Sequence, residues 1–425
     1  MNVLPMIGQG IIWIIMICAV FGVIGAIRNP NEGIGKEFML AFNQLGIIFI
    51  PFAGILASLP YIEKFVITVF GKLFELIGAD VAVAGAMFIP PDMGGYQLYE
   101  GLAGSTETWM IALFMGFAAG PIIAYSIPLG FSILQPNDRK YFGLGIMAGI
   151  LSVPFMVFIC IALLKLTNTP VRGTISNVNP SDIDLALTWK LILINMLPIL
   201  IFCLALAILL KFFMSIMMKI FMIFGRVLEI AIKIVLVISI VEYFTGAFTM
   251  LFGSFGFDPI IADKKDQFRA LENAGYIAIM LCGAYPMIYL IKKYAGNALQ
   301  KVGEKVGFSA YGSIGLFATL AESLAMFGIL NKMRGADKVK VCAFSVCGSW
   351  ILGAHLTYAA NFQPNLLAIL LIGKFLGGCI AIFFAKWLAV PTAKKYERED
   401  MEAGRMSEDD FDDDVSLEKT EIDLS

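Results

Sequence analysis

From Gly10 to Ile27 the chain reads GIIWIIMICAVFGVIGAI, eighteen residues without a charge, and from Leu191 to Leu210 it reads LILINMLPILIFCLALAILL, twenty more. Runs of this length constrain the fold more than any other feature. About twenty apolar residues in a helix span the hydrocarbon core of a bilayer. Lipid offers backbone N–H and C=O groups no partner, so only helices and closed barrels cross it. Many such runs in series predict an all-α polytopic membrane protein. Composition agrees: 59% of residues are hydrophobic and 15% charged, against roughly half and a quarter in soluble domains.

Apolar runs and polar breaks place spans near residues 5–27, 39–60, 65–89, 142–165, 188–211, 226–251, 272–291, 340–361 and 365–390. Two further stretches are interrupted: 108–134 by Gly120, Pro121 and Pro128, and 309–330 by Glu322. Lys and Arg gather on the cytoplasmic side of a membrane protein. The basic connections RNPNEGIGK, KFFMSIMMKIFMIFGR, KKYAGNALQKVGEK and NKMRGADKVK share a side only if both interrupted stretches are re-entrant. That reading gives about nine crossings plus two hairpins, with the N-terminus outside. Making both stretches full spans gives about eleven transmembrane helices.

A transport domain is expected over residues 1–391, followed by an acidic, disordered cytoplasmic tail over 392–425. From Glu397 onward there are 13 acidic and 3 basic residues, which leaves 28 basic against 20 acidic in the body; such a charge run reads as disordered. A faint internal echo links the two interrupted stretches. Ser-Ile-Pro at 126–128 and Asp-Arg-Lys at 138–140 are matched by Ser-Leu-Ala at 323–325 and Asp-Lys at 337–338. Repeats of about 40–211 and 226–390 would explain it, with parallel and inverted symmetry both open. Internal repeats with broken helices are a transporter architecture.

The segment IPPDMGGYQLYEGLAG, residues 89–104, makes neither a good helix nor a good strand. Unwound backbone at membrane depth is tolerated only where protein or a watery cavity surrounds it, and there it offers carbonyls and carboxylates to a ligand. Asp92 sits between Pro-Pro and Gly94-Gly95, where a small solute can approach the backbone closely. Tyr96 adds an aromatic face, which attracts ammonium groups, and Tyr125 adds another beside Gly120 and Pro121. Glu322 lies midway along an apolar stretch, where a charge costs at least ~2.5–3.5 kcal/mol and marks a substrate or ion path. His355, the single histidine, stands near a span end and suits a proton relay or a substrate hydroxyl. The bland readings are a surface loop for Asp92, a structural ion pair for Glu322 and an interfacial histidine for His355.

No nucleotide-binding GxxxxGK[ST] sequence, HExxH or His/Cys cluster occurs, so neither an ATP-driven pump nor a metalloenzyme is indicated. The seven cysteines form no disulfide or zinc pattern. Expected cofactors and metals are none. Expected partners are the lipid bilayer and a small amine, without nucleic acid, and a homo-oligomer is possible.

PDMGGYQLYEGLAG, GPIIAYSIPLGFSILQPNDRKYFGLGIMAGI, LGAYPM, ATLAESLAMFG and KVKVCAFSVCGSWILGAHLTYAA, in this order, resemble the ethanolamine-utilisation transporter family, permeases of the bacterial inner membrane. The resemblance implies a multi-pass facilitator that imports protonated ethanolamine, with Asp92 and His355 in the matching motifs. Two positions depart: the family pattern has a pair of amides where Glu322 and Ser323 stand, and an acidic residue where Ala354 stands. The alternative function is an ion-coupled transporter of another small solute, such as an amino acid, nucleoside or polyol.

Overall fold

The computed structural model describes residues 3–405 and 415–417. In chain order the helices are α1 (Val3–Arg28), α2 (Gly33–Ala57), α3 (Leu59–Ile77), α4 (Ala82–Phe88) and α5 (Gly95–Leu102). Then come α6 (Thr106–Ile133), α7 (Pro136–Thr167), α8 (Trp189–Thr245), α9 (Ala247–Phe252) and α10 (Ala270–Lys305). The last are α11 (Ala310–Ala321), α12 (Ser323–Ile329), α13 (Gly335–Gly348), α14 (Ala354–Phe362), α15 (Leu367–Leu388) and α16 (Val390–Glu402). Among the described residues the only β pairing is an isolated bridge between Val171 and Ile183. Among the described residues seven stretches are long and apolar enough to cross a membrane by length and composition: α1, α2, α6, α7, α8, α10 and Pro364–Leu388. An all-α polytopic membrane protein is the result.

The hairpins are not both where the sequence puts them. Asp80 accepts from Ala82 N at 2.9 Å and from Gly104 N at 2.8 Å, while its own amide donates to Asn195 at 2.7 Å. The start of α4 is thus pinned to the chain just past α5. These two short limbs form hairpin 1, with residues 89–94 as its tip. The expected span at 65–89 is a correction: α3 ends at Gly78, a left-handed glycine cap, and only the 7-residue α4 follows it inward. Charged Glu63, Lys64, Lys72 and Glu75 give α3 a polar side that a buried span would not tolerate.

The stretch 108–134 is the second correction. α6 runs through it without turning back, absorbing Gly120 and Pro121 in a π-helical turn at Ile122–Ser126. Pro128 sits at the start of the regular helix that resumes there. A π-turn accommodates the missing proline N–H without breaking the helix direction. At 28 residues and 1.5 Å per residue, α6 is about 42 Å long.

The stretch 309–330 forms hairpin 2. Ser309 N donates to Asp337 at 2.8 Å, and Lys340 bridges Asp337 and the Gly307 carbonyl, both at 2.6 Å. These bonds hold the start of α11 against the start of α13, into which α12 leads. Glu322, in extended conformation between α11 and α12, is the tip.

The two hairpin bases lie at opposite ends of the protein. Hairpin 1's base shares a face with the loop at 168–188, since Ala186 N donates to Glu107 at 2.9 Å and Asn365 donates to the Pro170 carbonyl at 3.0 Å. Hairpin 2's base lies at the other end of α13 and beside α7, where Lys338 and Asp138 pair at 2.6 Å in a nearly dry setting. The 57-residue α8 departs from helical geometry at Phe213. Its Asn195 and the loop that follows it, tied by Asp258 N to the Ala57 carbonyl at 2.8 Å, both reach hairpin 1's face. The chain crosses and returns, as expected for 188–211 and 226–251.

The tail expectation needs a third correction. Residues 390–402 are helical, and fully buried Asp400 accepts from Lys140 at 2.7 Å, Tyr141 at 2.9 Å and Arg405 at 2.8 Å. Residues 406–414 and 418–425 lie outside the described part. Burial alone would raise the Asp400 pKa, but these three donors outweigh it and hold it below the ordinary carboxylate value. A depressed carboxylate stabilises at pH above its unfolded pKa of ~4 and loses that contribution as pH falls through the lower folded value. Release of the tail from wild type, followed as loss of amide-exchange protection over residues 390–402, is therefore expected to set in below about pH 4. Asp400→Asn should release it at neutral pH; an Asn variant as protected as wild type would remove the clamp.

Candidate functional site

The hairpin tips bring the site together at the middle of the molecule. At hairpin 1, Gly94 has φ +95°, a left-handed turn that suits glycine. A Cβ on Gly95 would lie 2.6 Å from the Ile89 and Pro90 carbonyl oxygens. A Cβ on Gly120 would lie 2.7 Å from the Pro90 backbone. The missing side chains let the tip lie directly against the π-turn of α6. Pro121 has no N–H to offer the Phe117 carbonyl four residues back, and Lys374 Nζ donates to that carbonyl at 3.2 Å.

At hairpin 2, the tip meets the break between α13 and α14. Leu352 N donates to the Leu320 carbonyl at 2.8 Å, and Ser323 and Ser349 hydroxyls bond at 2.8 Å. Trp350 adopts φ +59°, an outlier for a bulky residue, and such strain clusters at functional sites. Here it points the indole N–H at Glu322, with Nε1 to Oε1 at 2.7 Å.

Asp92 Oδ2 stands 3.7 Å from His355 Nε2, too long for a hydrogen bond. His355 is buried between the rings of Phe117, at 5.0 Å, and Trp350, at 5.2 Å, and neither of its ring nitrogens has a hydrogen-bond partner. Tyr125 packs edge-on to Trp350 at 5.9 Å and senses the charge of both Glu322 and Asp92. Tyr285 of α10 is buried. Tyr358, one turn after His355, is buried with an unpartnered hydroxyl. Buried polar groups without partners are rare in native proteins and call for an explanation.

Of the residues singled out from sequence, Asp92, Tyr125, Glu322 and His355 share this region. Gly94, Gly95, Gly120 and Pro121 shape its backbone. Tyr96 does not join them: it stacks on Trp109 at 4.6 Å and its hydroxyl accepts from Gln363 at 2.7 Å. It reaches the centre only through Tyr358, at 5.9 Å. Sequence reasoning passed over Lys374, Trp350, Tyr285 and Tyr358. Lys374 had a signal, a lone charge inside an apolar run; Trp350 had none, because its role comes from its backbone angle.

Above hairpin 1 a cavity of about 520 Å³ opens between its second limb, α3 and the segment 258–269. Glu63, Glu100, Asp258 and Asp266 line it along with Lys265 and Arg269, a wall in which carboxylates outnumber cations. Among the described residues no group of three or more His, Cys, Asp or Glu side chains has the arrangement of a metal site.

The family described as "Ethanolamine utilisation protein, EutH" matches residues 7–388. The chain is similar to the probable ethanolamine permease EutH of Escherichia coli strain K12, 32% identical over 386 residues, covering 88% of this chain and 91% of the relative. The protein of the same name from Salmonella typhimurium is 32% identical over 371 residues, 86% of this chain and 88% of its own. That of Listeria monocytogenes is 27% identical over 398 residues, 93% and 98% respectively. No solved structure matches the chain significantly.

Proposed function

Because the chain belongs to the ethanolamine utilisation protein EutH family, we propose that its two hairpin-tip carboxylates, Asp92 and Glu322, bind protonated ethanolamine between the halves of a transporter. The chain is an ethanolamine permease of the bacterial inner membrane and not an enzyme. One observation carries the site: carboxylates from hairpins of opposite face converge inside a ring of aromatic side chains. Carboxylates neutralise the ammonium and ring faces attract it. The unpartnered His355 and Tyr358 are at hand for the hydroxyl. Ala354 follows Gly353, whose Cα faces the Ala321 carbonyl, so a family carboxylate at that position would stand close in the fold to Glu322 here.

The element order supports an inverted repeat. A hairpin and two following spans, α4 to α7, correspond to α11 to α15, in which α13 and α14 make one broken span and which enter from the other face. Asp92 and Glu322 are 230 residues apart (322 less 92), and so are Tyr125 and His355 (355 less 125). The echo at about 198 residues instead joins α6 to α12 and α7 to α13, the latter two packing together through Asp138 and Lys338. Nine crossings with two hairpins follow from this arrangement, with the acidic cavity outside and the basic ends of α1, α10 and α15 inside. Rocking of the hairpin-bearing repeats would expose the site to each side in turn.

Ethanolamine has few atoms, and at a ceiling of ~1.5 kcal/mol for each of four non-hydrogen atoms the affinity is limited to roughly tens of micromolar. Detergent-purified protein is expected to melt several degrees higher in 10 mM ethanolamine and to be unaffected by 1-propanol, which has the same shape without the charge. Stabilisation by sodium or serine but not ethanolamine would replace this reading with the ion-coupled alternative.

A further inference from the structure

Among the described residues Lys374 is a buried cation that reaches the site from behind Phe117, whose ring packs on His355. The residue is 1% exposed, lies within α15, and donates from Nζ to the Phe117 carbonyl at 3.2 Å. No carboxylate among the described residues lies within ion-pair distance of it. A charge this deep costs several kcal/mol, and hydrogen bonding to one carbonyl does not account for keeping a lysine where α15 is apolar up to Lys386 in its last turn. The charges facing the centre are Asp92 from hairpin 1, Glu322 from hairpin 2 and Lys374 from α15. His355, lacking any hydrogen-bond partner, is counted neutral. Counted as formal charges, these sum to minus one.

Resting on the site reading above, we infer that Lys374 is a specificity residue: it sets the charge of the site to minus one, so that a monocation neutralises it and a dication does not. Without Lys374 the two carboxylates present two negative charges, and a short diamine carrying two ammonium groups becomes the matched ligand. The lysine acts by repulsion, excluding a competitor that the carboxylates alone would favour. Its place beside the π-turn fixes the amine where Pro121 has freed a carbonyl, away from Asp92 itself, so it does not occupy the substrate's seat.

The test is competition for ethanolamine binding by 1,3-diaminopropane, a dication at pH 7 close to ethanolamine in length. Wild type is expected to prefer ethanolamine. Lys374→Met, which keeps the volume and removes the charge, should shift the ratio of affinities toward the diamine by about tenfold or more, as like-charge juxtaposition predicts. Lys374→Arg should retain the wild-type order. A Met variant that binds ethanolamine with the wild-type preference overturns the inference while leaving the carboxylate site standing. If the Met variant does not fold, wild type decides: equal affinity for the two amines also overturns it. Wild type that binds neither amine instead refutes the carboxylate site.

Discussion

Asp92→Asn is expected to lower ethanolamine uptake into membrane vesicles by about 30-fold or more, the effect of removing one member of a buried charge pair. The protein should remain folded, because the tip is held by Gly94, Gly95 and Gly120 packing and not by the carboxylate. Glu322→Gln should cost less, about tenfold, since Gln keeps an oxygen that accepts the Trp350 indole N–H and the strained turn survives. Unchanged uptake in both variants would remove the site. Loss of uptake with a large fall in melting temperature would point to a structural role instead.

The largest effect on stability is expected at the other end of the molecule. Asp138 and Lys338 join α7 to α13 at 2.6 Å, with side chains 5% and 2% exposed, and the Tyr141 ring lies 5.1 Å from the ammonium. Asp138→Ala strands a buried cation, at a cost of about 3–5 kcal/mol. The paired replacement Asp138→Leu with Lys338→Met should recover most of that loss, because desolvation of both charges disappears together. Thermal melts in detergent measure this. A double variant no more stable than Asp138→Ala would mean that the pair supplies net stability by itself.

Much of this architecture is legible in the chain, for reasons that can be traced. Long uncharged runs leave little choice but helices in lipid. Glu322 marks hairpin 2 because a lone carboxylate in an apolar run needs a cavity. Hairpin 1 is displaced in the sequence reading because α3 and α4 merge into one apolar run; the break between them is only Gly78-Ala79-Asp80, and its meaning comes from contacts with Asn195 and Gly104 far along the chain. Gly120, Pro121 and Pro128 suggest a turn, yet a π-turn satisfies them in a continuous helix. Asp92 was visible through its Pro and Gly neighbours. Its closeness to His355 was not, since 263 residues separate them (355 less 92).

The claim at the centre is that Asp92 and Glu322 act on one ammonium group. The direct measurement is calorimetric titration of ethanolamine onto wild type, Asp92→Asn, Glu322→Gln and the double variant. If both carboxylates hold the same ligand, the losses are non-additive, with a coupling of about 1 kcal/mol or more. Additive losses would place the two carboxylates at separate sites, and a double variant that binds like wild type would contradict the account outright.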